Sequence, residues 1–246
     1  GGQSSVAHSF TQPVGAFESI AQATPNILEA MRQSGSHATF FNAASTDCFG
    51  NQPGVVLDEK SSMKPASPYG VAKTTSYQET VNYREAFGLL ASNGILTNTE
   101  SPLRGDTFVT RKVISTLRQK KKDPSTTLHL GQTSIKRDWL WAPDAVEAIH
   151  LIASNRTPGD FVVASGSSHS LHDFVEQACV QLNLDPTDAY EIDPRLFRPE
   201  EIGSIELDPS LIRRERGWSA KTSFPEIVEN LVNEDIFALP RDPALS

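Results

Sequence analysis

Apolar and aromatic residues crowd 38–44, Ala-Thr-Phe-Phe-Asn-Ala-Ala, and a helix-like stretch over 71–87 follows, stopping at Gly88, with a second strand-like run over 89–97. Strand, helix and strand follow one another here as a βαβ segment of the sequence. The alternation continues with helix expected over 108–118, strand over 126–131, helix over 143–153 and strand over 161–164. Strands alternating with helices predict an α/β fold with a mostly parallel sheet. Ser170 and Asp173 read as a capping box for a helix bearing Leu171, Phe174, Val175, Ala178 and Leu182. Residues 136–139, Lys-Arg-Asp-Trp, read as a polar-aromatic corner, and 208–238 as two short helices parted by Gly217-Trp218. Pro25 interrupts a helical pattern over 17–33, where either the helix kinks or a new one starts with Pro25 in its first turn.

Within the βαβ segment, Tyr69 and Lys73 stand one turn apart at the start of the helix, because positions i and i+4 are neighbours on its surface. An ammonium beside a phenol favours the phenolate. The spacing therefore predicts a tyrosine pKa lowered toward neutrality, able to take a proton from a hydroxyl during hydride transfer. A Tyr and a Lys four apart also occur without catalytic meaning. Ser45-Thr46-Asp47 emerges at the carboxyl end of the first strand, where ligands bind in open α/β sheets. Two hydroxyls and a carboxylate there suit a sugar, and they equally suit a turn closing a strand. The loop over 51–66, with Pro53, Gly54 and Pro65, is expected over the site.

Length allows one large domain, or a domain with a lobe, in 246 residues. A formal charge of -8 argues against general nucleic-acid affinity, since phosphate backbones demand a basic surface. The local run Arg118, Lys120, Lys121, Lys122 reads as a solvated helix end, and no apolar run approaches a membrane span. Cys48 and Cys179 show no metal-ligand spacing and suit a reducing compartment; with no leader-like pattern over 1–16, a cytoplasmic location is expected. The abrupt start at Gly1-Gly2-Gln3-Ser4-Ser5 carries the expectation that upstream sequence is missing.

These stretches resemble the GDP-mannose 4,6-dehydratase family of the extended short-chain dehydrogenase/reductases over nearly the whole chain. The likeness rests on 2–6 with Ser9-Phe10, on Ser45 to Gly50, on Ser67 to Lys73, and on 82–88, 93–96, 100–104 and 108–112. Arg137-Asp138-Trp139 and 193–200 add to it. The resemblance implies the C-terminal part of a Rossmann-like parallel sheet with a smaller α/β substrate-binding lobe. Residues 1–150 would form the incomplete cofactor and catalytic region, first strands missing, and 151–246 mainly the nucleotide-sugar lobe, interleaved with 98–135.

The implied chemistry is an internal redox cycle on GDP-mannose: NADP+ takes hydride from sugar carbon 4, water leaves across carbons 5 and 6, and the hydride returns to carbon 6. By resemblance Tyr69 deprotonates the carbon 4 hydroxyl, and Lys73 lowers its pKa and holds the nicotinamide ribose. Ser45 hydrogen-bonds that hydroxyl, and Asp47 removes the carbon 5 proton. Gly1, Gly2, Gln3, Ser4, Thr99 and Arg104 would contact NADP, and Asn98, Arg137 and Arg198 the nucleotide sugar, with no metal. Full-length members are expected as homodimers or homotetramers, with no nucleic-acid or membrane partner. The chain departs from the family's pattern at Asp47, where Glu is expected, at Thr99, in place of His, and at Gly15, in place of an aromatic residue. It also has no Gly-x-x-Gly-x-x-Gly turn. Two alternatives stay beside this reading: an epimerase or reductase of the same superfamily, and a non-catalytic nucleotide-sugar-binding fragment.

Overall fold

A computed structural model describes residues 2–197 and 203–233. The first half holds α1 (Val6–Thr11), α2 (Pro13–Phe17), α3 (Ala23–Gln33), β1 (Phe40–Ser45), β2 (Val56–Leu57), α4 (Pro68–Phe87), β3 (Ala91–Leu96), β4 (Asn98–Glu100) and α5 (Val109–Lys122). The second half holds β5 (Leu128–Leu130), β6 (Lys136–Trp141), α6 (Ala142–Ala153), β7 (Asp160–Val163), β8 (Ser168–Ser170), α7 (Leu171–Leu182), β9 (Tyr190–Ile192), β10 (Glu206–Leu207), α8 (Ser210–Arg216) and α9 (Phe224–Asn233).

The expected parallel sheet is present: β1-α4-β3 forms a βαβ unit, and β7 pairs with β3 to give the order β1-β3-β7. Side chains alternate faces along a strand, and the packing follows. Ala44, Ile95 and Val162 meet Tyr77 and Val81 of α4 on one face. Phe41, Leu96, Phe161 and Val163 meet Ala145, Ala148 and Ile152 of α6 and Ile212 of α8 on the other. The third strand lies past 150, so the sheet draws on chain beyond the boundary expected there.

Residues 136–139 do not turn a corner. They open β6, which pairs parallel with β4 and antiparallel with β8. Asp138 reads as a turn residue because it is charged, yet it is buried, and its carboxylate accepts bonds from Ser165, Gly166 and Ser167. A separate apolar core joins Val113 and Leu117 of α5 to Phe174 and Ala178 of α7 and to Ile227 and Leu231 of α9. The Ser170–Asp173 capping box forms as expected.

At Pro25 the two alternatives merge. A π-helical turn, Glu18–Gln22, leads directly into α3, where Pro25 occupies the first turn. The bond a proline nitrogen cannot make falls where the register has already widened. Among the described residues no helix is long and apolar enough to cross a membrane.

Candidate functional site

The register sets Ser45 beside Leu96 and Leu96 beside Val163, so 46–48, 97–100 and 164–168 leave the sheet at one end. A single 3-10 turn, Thr46–Cys48, follows Ser45. Ser45 Oγ accepts from the Asp47 amide at 3.2 Å and donates to Asp47 Oδ2 at 3.0 Å. The turn then closes at Gly50, whose φ of 64° only glycine adopts without strain, and where an added Cβ would lie 1.8 Å from the Lys64 carbonyl oxygen.

The start of α4 is brought against this turn by three small residues. Ser67 caps the helix, its Oγ accepting from Gly70 N at 2.9 Å, with Pro68 in the first helical position. Ser9 Oγ accepts from Tyr69 N at 3.1 Å and so anchors α1 to the same helix end. Gly70 permits the close approach: a Cβ there would stand 2.9 Å from the carbonyl oxygen of Asp47.

Tyr69 is 8% exposed, with the Ser45 hydroxyl near enough to act on its phenol. Its pKa is raised above the ordinary value, chiefly by burial and next by the Asp47 charge; the Ser45 hydroxyl and the Arg104 charge act the other way. This overturns the lowered pKa that the Tyr-x-x-x-Lys spacing predicts. Lys73 is a helical neighbour, but its stem carries the ammonium to the backbone of β1, where Nζ donates to Ala43 O at 2.7 Å and lies 5.7 Å from the Tyr69 ring centre. Burial lowers the Lys73 pKa, against the charges of Cys48 and Asp47.

Ser45, Asp47, Tyr69 and Lys73 thus form one cluster, with Arg104 close enough for its charge to act on the phenol. Arg104 itself is bonded through Nη1 to Glu100 and lies 4.0 Å from the Phe108 ring centre. Asn98 and Thr99 pair with Trp139 and Leu140 across β4 and β6, and Thr99 Oγ1 donates to Thr97 O at 3.3 Å. Arg137 donates to Gly203 O at 2.6 Å. Gly2 rests on the π-helical turn, where a Cβ would meet Ile20 Cγ1 at 2.7 Å, and Gln3 Oε1 accepts from Ser5 N at 2.7 Å. Ser4, half a turn before α1, is exposed. Gly1 and Arg198 lie outside the described residues.

Sequence reasoning passes over one acid. Glu100 is fully buried at the end of β4, accepts from Thr110 Oγ1 at 2.8 Å, and is pushed by burial up to about 7. Its signal is a Glu four residues before Arg104 at the same sheet end.

A parallel sheet that presents a Ser–Asp turn and a Tyr-x-x-x-Lys helix start at its carboxyl end defines a Rossmann-fold protein of the short-chain dehydrogenase/reductase type. Solved structures share this fold. RMD from Pseudomonas aeruginosa, complexed with NADPH, superposes with a TM-score of 0.84 at 20% identity, covering 95% of this chain and 78% of that one. The dTDP-glucose 4,6-dehydratase DesIV from Streptomyces venezuelae, with NAD and TYD bound, gives 0.84 at 19%, covering 95% and 70%. The family model for GDP-mannose 4,6 dehydratase matches residues 1–231, and the chain belongs to that family. GDP-mannose 4,6 dehydratase 2 of Arabidopsis thaliana is 38% identical over 247 residues, 99% of this chain and 66% of the relative. The Vibrio cholerae GDP-mannose 4,6-dehydratase is 33% identical over 274 residues, 100% of this chain and 74% of the relative. The chain therefore spans about two thirds to three quarters of the length of these curated relatives.

Proposed function

We propose that the chain carries the catalytic part of a GDP-mannose 4,6-dehydratase, a hydro-lyase that converts GDP-mannose to GDP-4-keto-6-deoxymannose with loss of water and no net oxidation. Membership of the family supports the substrate. The observation that carries the reaction is the cluster itself: a buried phenol beside Ser45, whose hydroxyl donates to Asp47, with Lys73 next to them.

A nicotinamide cofactor fits these residues. The Lys73 ammonium carries three donors, so beyond its bond to Ala43 O it can reach ribose hydroxyls, with Tyr69 next to it. We take the cofactor to be NADP, with Gly2, Gln3, Ser4, Thr99 and Arg104 along its length. When bound, NADP+ would supply the acceptor and later the donor of the hydride. In this reading Tyr69 takes the proton of the carbon 4 hydroxyl, Ser45 holds that hydroxyl in line, and Asp47 takes the carbon 5 proton and delivers it to the departing water. Asn98 and Arg137 would contact the nucleotide sugar, the guanidinium suited to phosphate by its paired donors. Free, buried Cys48 and Cys179 support a reducing, cytoplasmic setting.

The test is product mass with GDP-mannose and NADP+. A product lighter by one water supports the dehydratase. An isomer of unchanged mass supports the epimerase alternative, which needs Tyr69 and Lys73 but no acid at 47. Tyr69→Phe is expected to abolish turnover while GDP-mannose affinity stays nearly unchanged, because the hydroxyl acts in the transition state. A large affinity loss with turnover intact refutes the assignment.

A further inference from the structure

The sheet face under α4 carries a row of polar side chains where parallel sheets ordinarily bury apolar ones. Asn42, Asn93 and Asp160 stand level on β1, β3 and β7. Asn42 Nδ2 donates to Asn93 Oδ1 at 2.7 Å, and Asn93 Nδ2 to Asp160 Oδ1 at 2.8 Å. Arg84 of α4 holds the same carboxylate with bonds of 2.9 and 2.7 Å. At the other end Ser76 Oγ donates to Asn42 Oδ1 at 2.9 Å and meets Thr24 Oγ1 of α3 at 2.6 Å. Asn42, Asn93, Ser76 and Thr24 are buried.

A carboxylate only accepts hydrogen bonds, so Asp160 sets the direction of the whole row. Asn93 turns its amide nitrogen to Asp160 and its oxygen to Asn42. Asn42 in turn offers its oxygen to Ser76, whose Oγ also meets Thr24 Oγ1, a hydroxyl that donates to Ile20 O at 3.1 Å. Bonds running one way polarise one another.

Ser76 lies on the helix stripe that carries Lys73 and Tyr69, three and seven residues earlier. Lys73 bonds the carbonyl of Ala43, and Ser76 bonds the side chain of Asn42, so consecutive residues of β1 grip α4 at two points. Apolar packing tolerates sliding along a helix axis, whereas a hydrogen bond weakens steeply with distance and angle. We propose that Asn42 and Ser76, oriented by Asp160, are positioning residues that fix the axial register of α4 on β1. They thereby place Tyr69 and Lys73 against Ser45 and Asp47. The inference rests on reading Tyr69 and Lys73 as the catalytic pair.

Ser76→Ala and Asp160→Asn in the full chain test it, with two readouts. In both variants kcat is expected to fall about tenfold with the KM for GDP-mannose within about twofold, since a small displacement of reacting groups costs rate before binding. Hydrogen exchange, which needs no turnover, is expected to quicken at amides 70–75 and to stay unchanged in α7 and α9. Should Ser76→Ala fail to fold, Asp160→Asn, which keeps the side chain's shape and alters the row's far end together with its Arg84 pair, decides through whether exchange quickens at 70–75, at the far end of α4 from Arg84. Unchanged kcat in a folded variant, or exchange that quickens evenly over the molecule, overturns the proposal. Should the unaltered chain turn over no GDP-mannose, the dehydratase reading fails by itself, and the exchange pattern still decides whether the row positions α4.

Discussion

Asp47 does two things to its neighbours: its carboxylate takes the Ser45 hydroxyl bond, and its charge holds the Tyr69 pKa up. Asp47→Asn removes that charge, so the titration assigned to Tyr69 in kcat/KM is expected to move to lower pH, while turnover drops about 100-fold with the loss of the base. A pH-rate profile checks both. Glu100 offers a thermodynamic test. Its folded pKa of about 7 stands above the ordinary 4.5, so the stability it contributes is fully present below about 4.5 and is lost as pH rises through about 7. Glutamine does not titrate. Glu100→Gln is therefore expected to gain on the unaltered chain by about 3 kcal/mol between pH 4.5 and 8, read as the difference in urea midpoints at the two pH values. A pH-independent difference would mean that Arg104 holds Glu100 ionised in the folded chain.

At the scale of elements, the approach of α4 to the turn after β1 depends on the missing side chain of Gly70. Gly70→Ala puts a methyl 2.9 Å from the Asp47 carbonyl and is expected to cost about 1–3 kcal/mol with a parallel loss of turnover. Thermal unfolding and steady-state rates measure the two. The helix that carries Tyr69 was legible over 71–87 from its Gly88 stop, and Gly88 is indeed left-handed with φ of 67°, but the helix starts three residues earlier than expected, at Pro68 behind the Ser67 cap. The Ser–Asp turn was legible too, because small polar residues end an apolar run. The pairing of Val56–Leu57 with Glu206–Leu207 was not, since two-residue strands distant in sequence leave no periodic trace. Nor was the Tyr69 pKa. Helical spacing gives the distance to Lys73 along one element, but burial and Asp47 arrive from others and outweigh it. The polar row was half visible: Asn42 and Asn93 interrupt apolar strands, and what they bond to emerges only when β1, β3 and β7 lie in register.

At the scale of the whole molecule, β6 is shared by two of the apolar cores among the described residues. Trp139 packs with Phe174 and Phe224 in the core of α5, α7 and α9, with ring centres 5.3 and 5.6 Å away, while its neighbour Leu140 joins the core of α6 and β7. Between sheet and lobe, Asp138 acts as a knot. Its carbonyl accepts from Thr97 Oγ1 at 2.7 Å, where β3 passes into β4. Its carboxylate accepts from Ser165 N at 3.0 Å, Ser165 Oγ at 2.9 Å, Gly166 N at 2.8 Å and Ser167 N at 3.2 Å, where the chain leaves β7. Asp138→Ala keeps the backbone bond but removes the acceptor from the donors of 165–167; Ser165 is half-buried while Gly166 and Ser167 are exposed, so water replaces part of what is lost. The expected cost is about 1–3 kcal/mol, and it falls on the joint between the bodies rather than inside either. Far-UV circular dichroism and tryptophan fluorescence, which report on both bodies together and chiefly on Trp139, Trp141 and Trp218, are expected to give coincident urea transitions in the unaltered chain and separated ones in the variant. Coincident transitions at an unchanged midpoint in Asp138→Ala would mean that the apolar seam along β6 holds sheet and lobe together without the carboxylate.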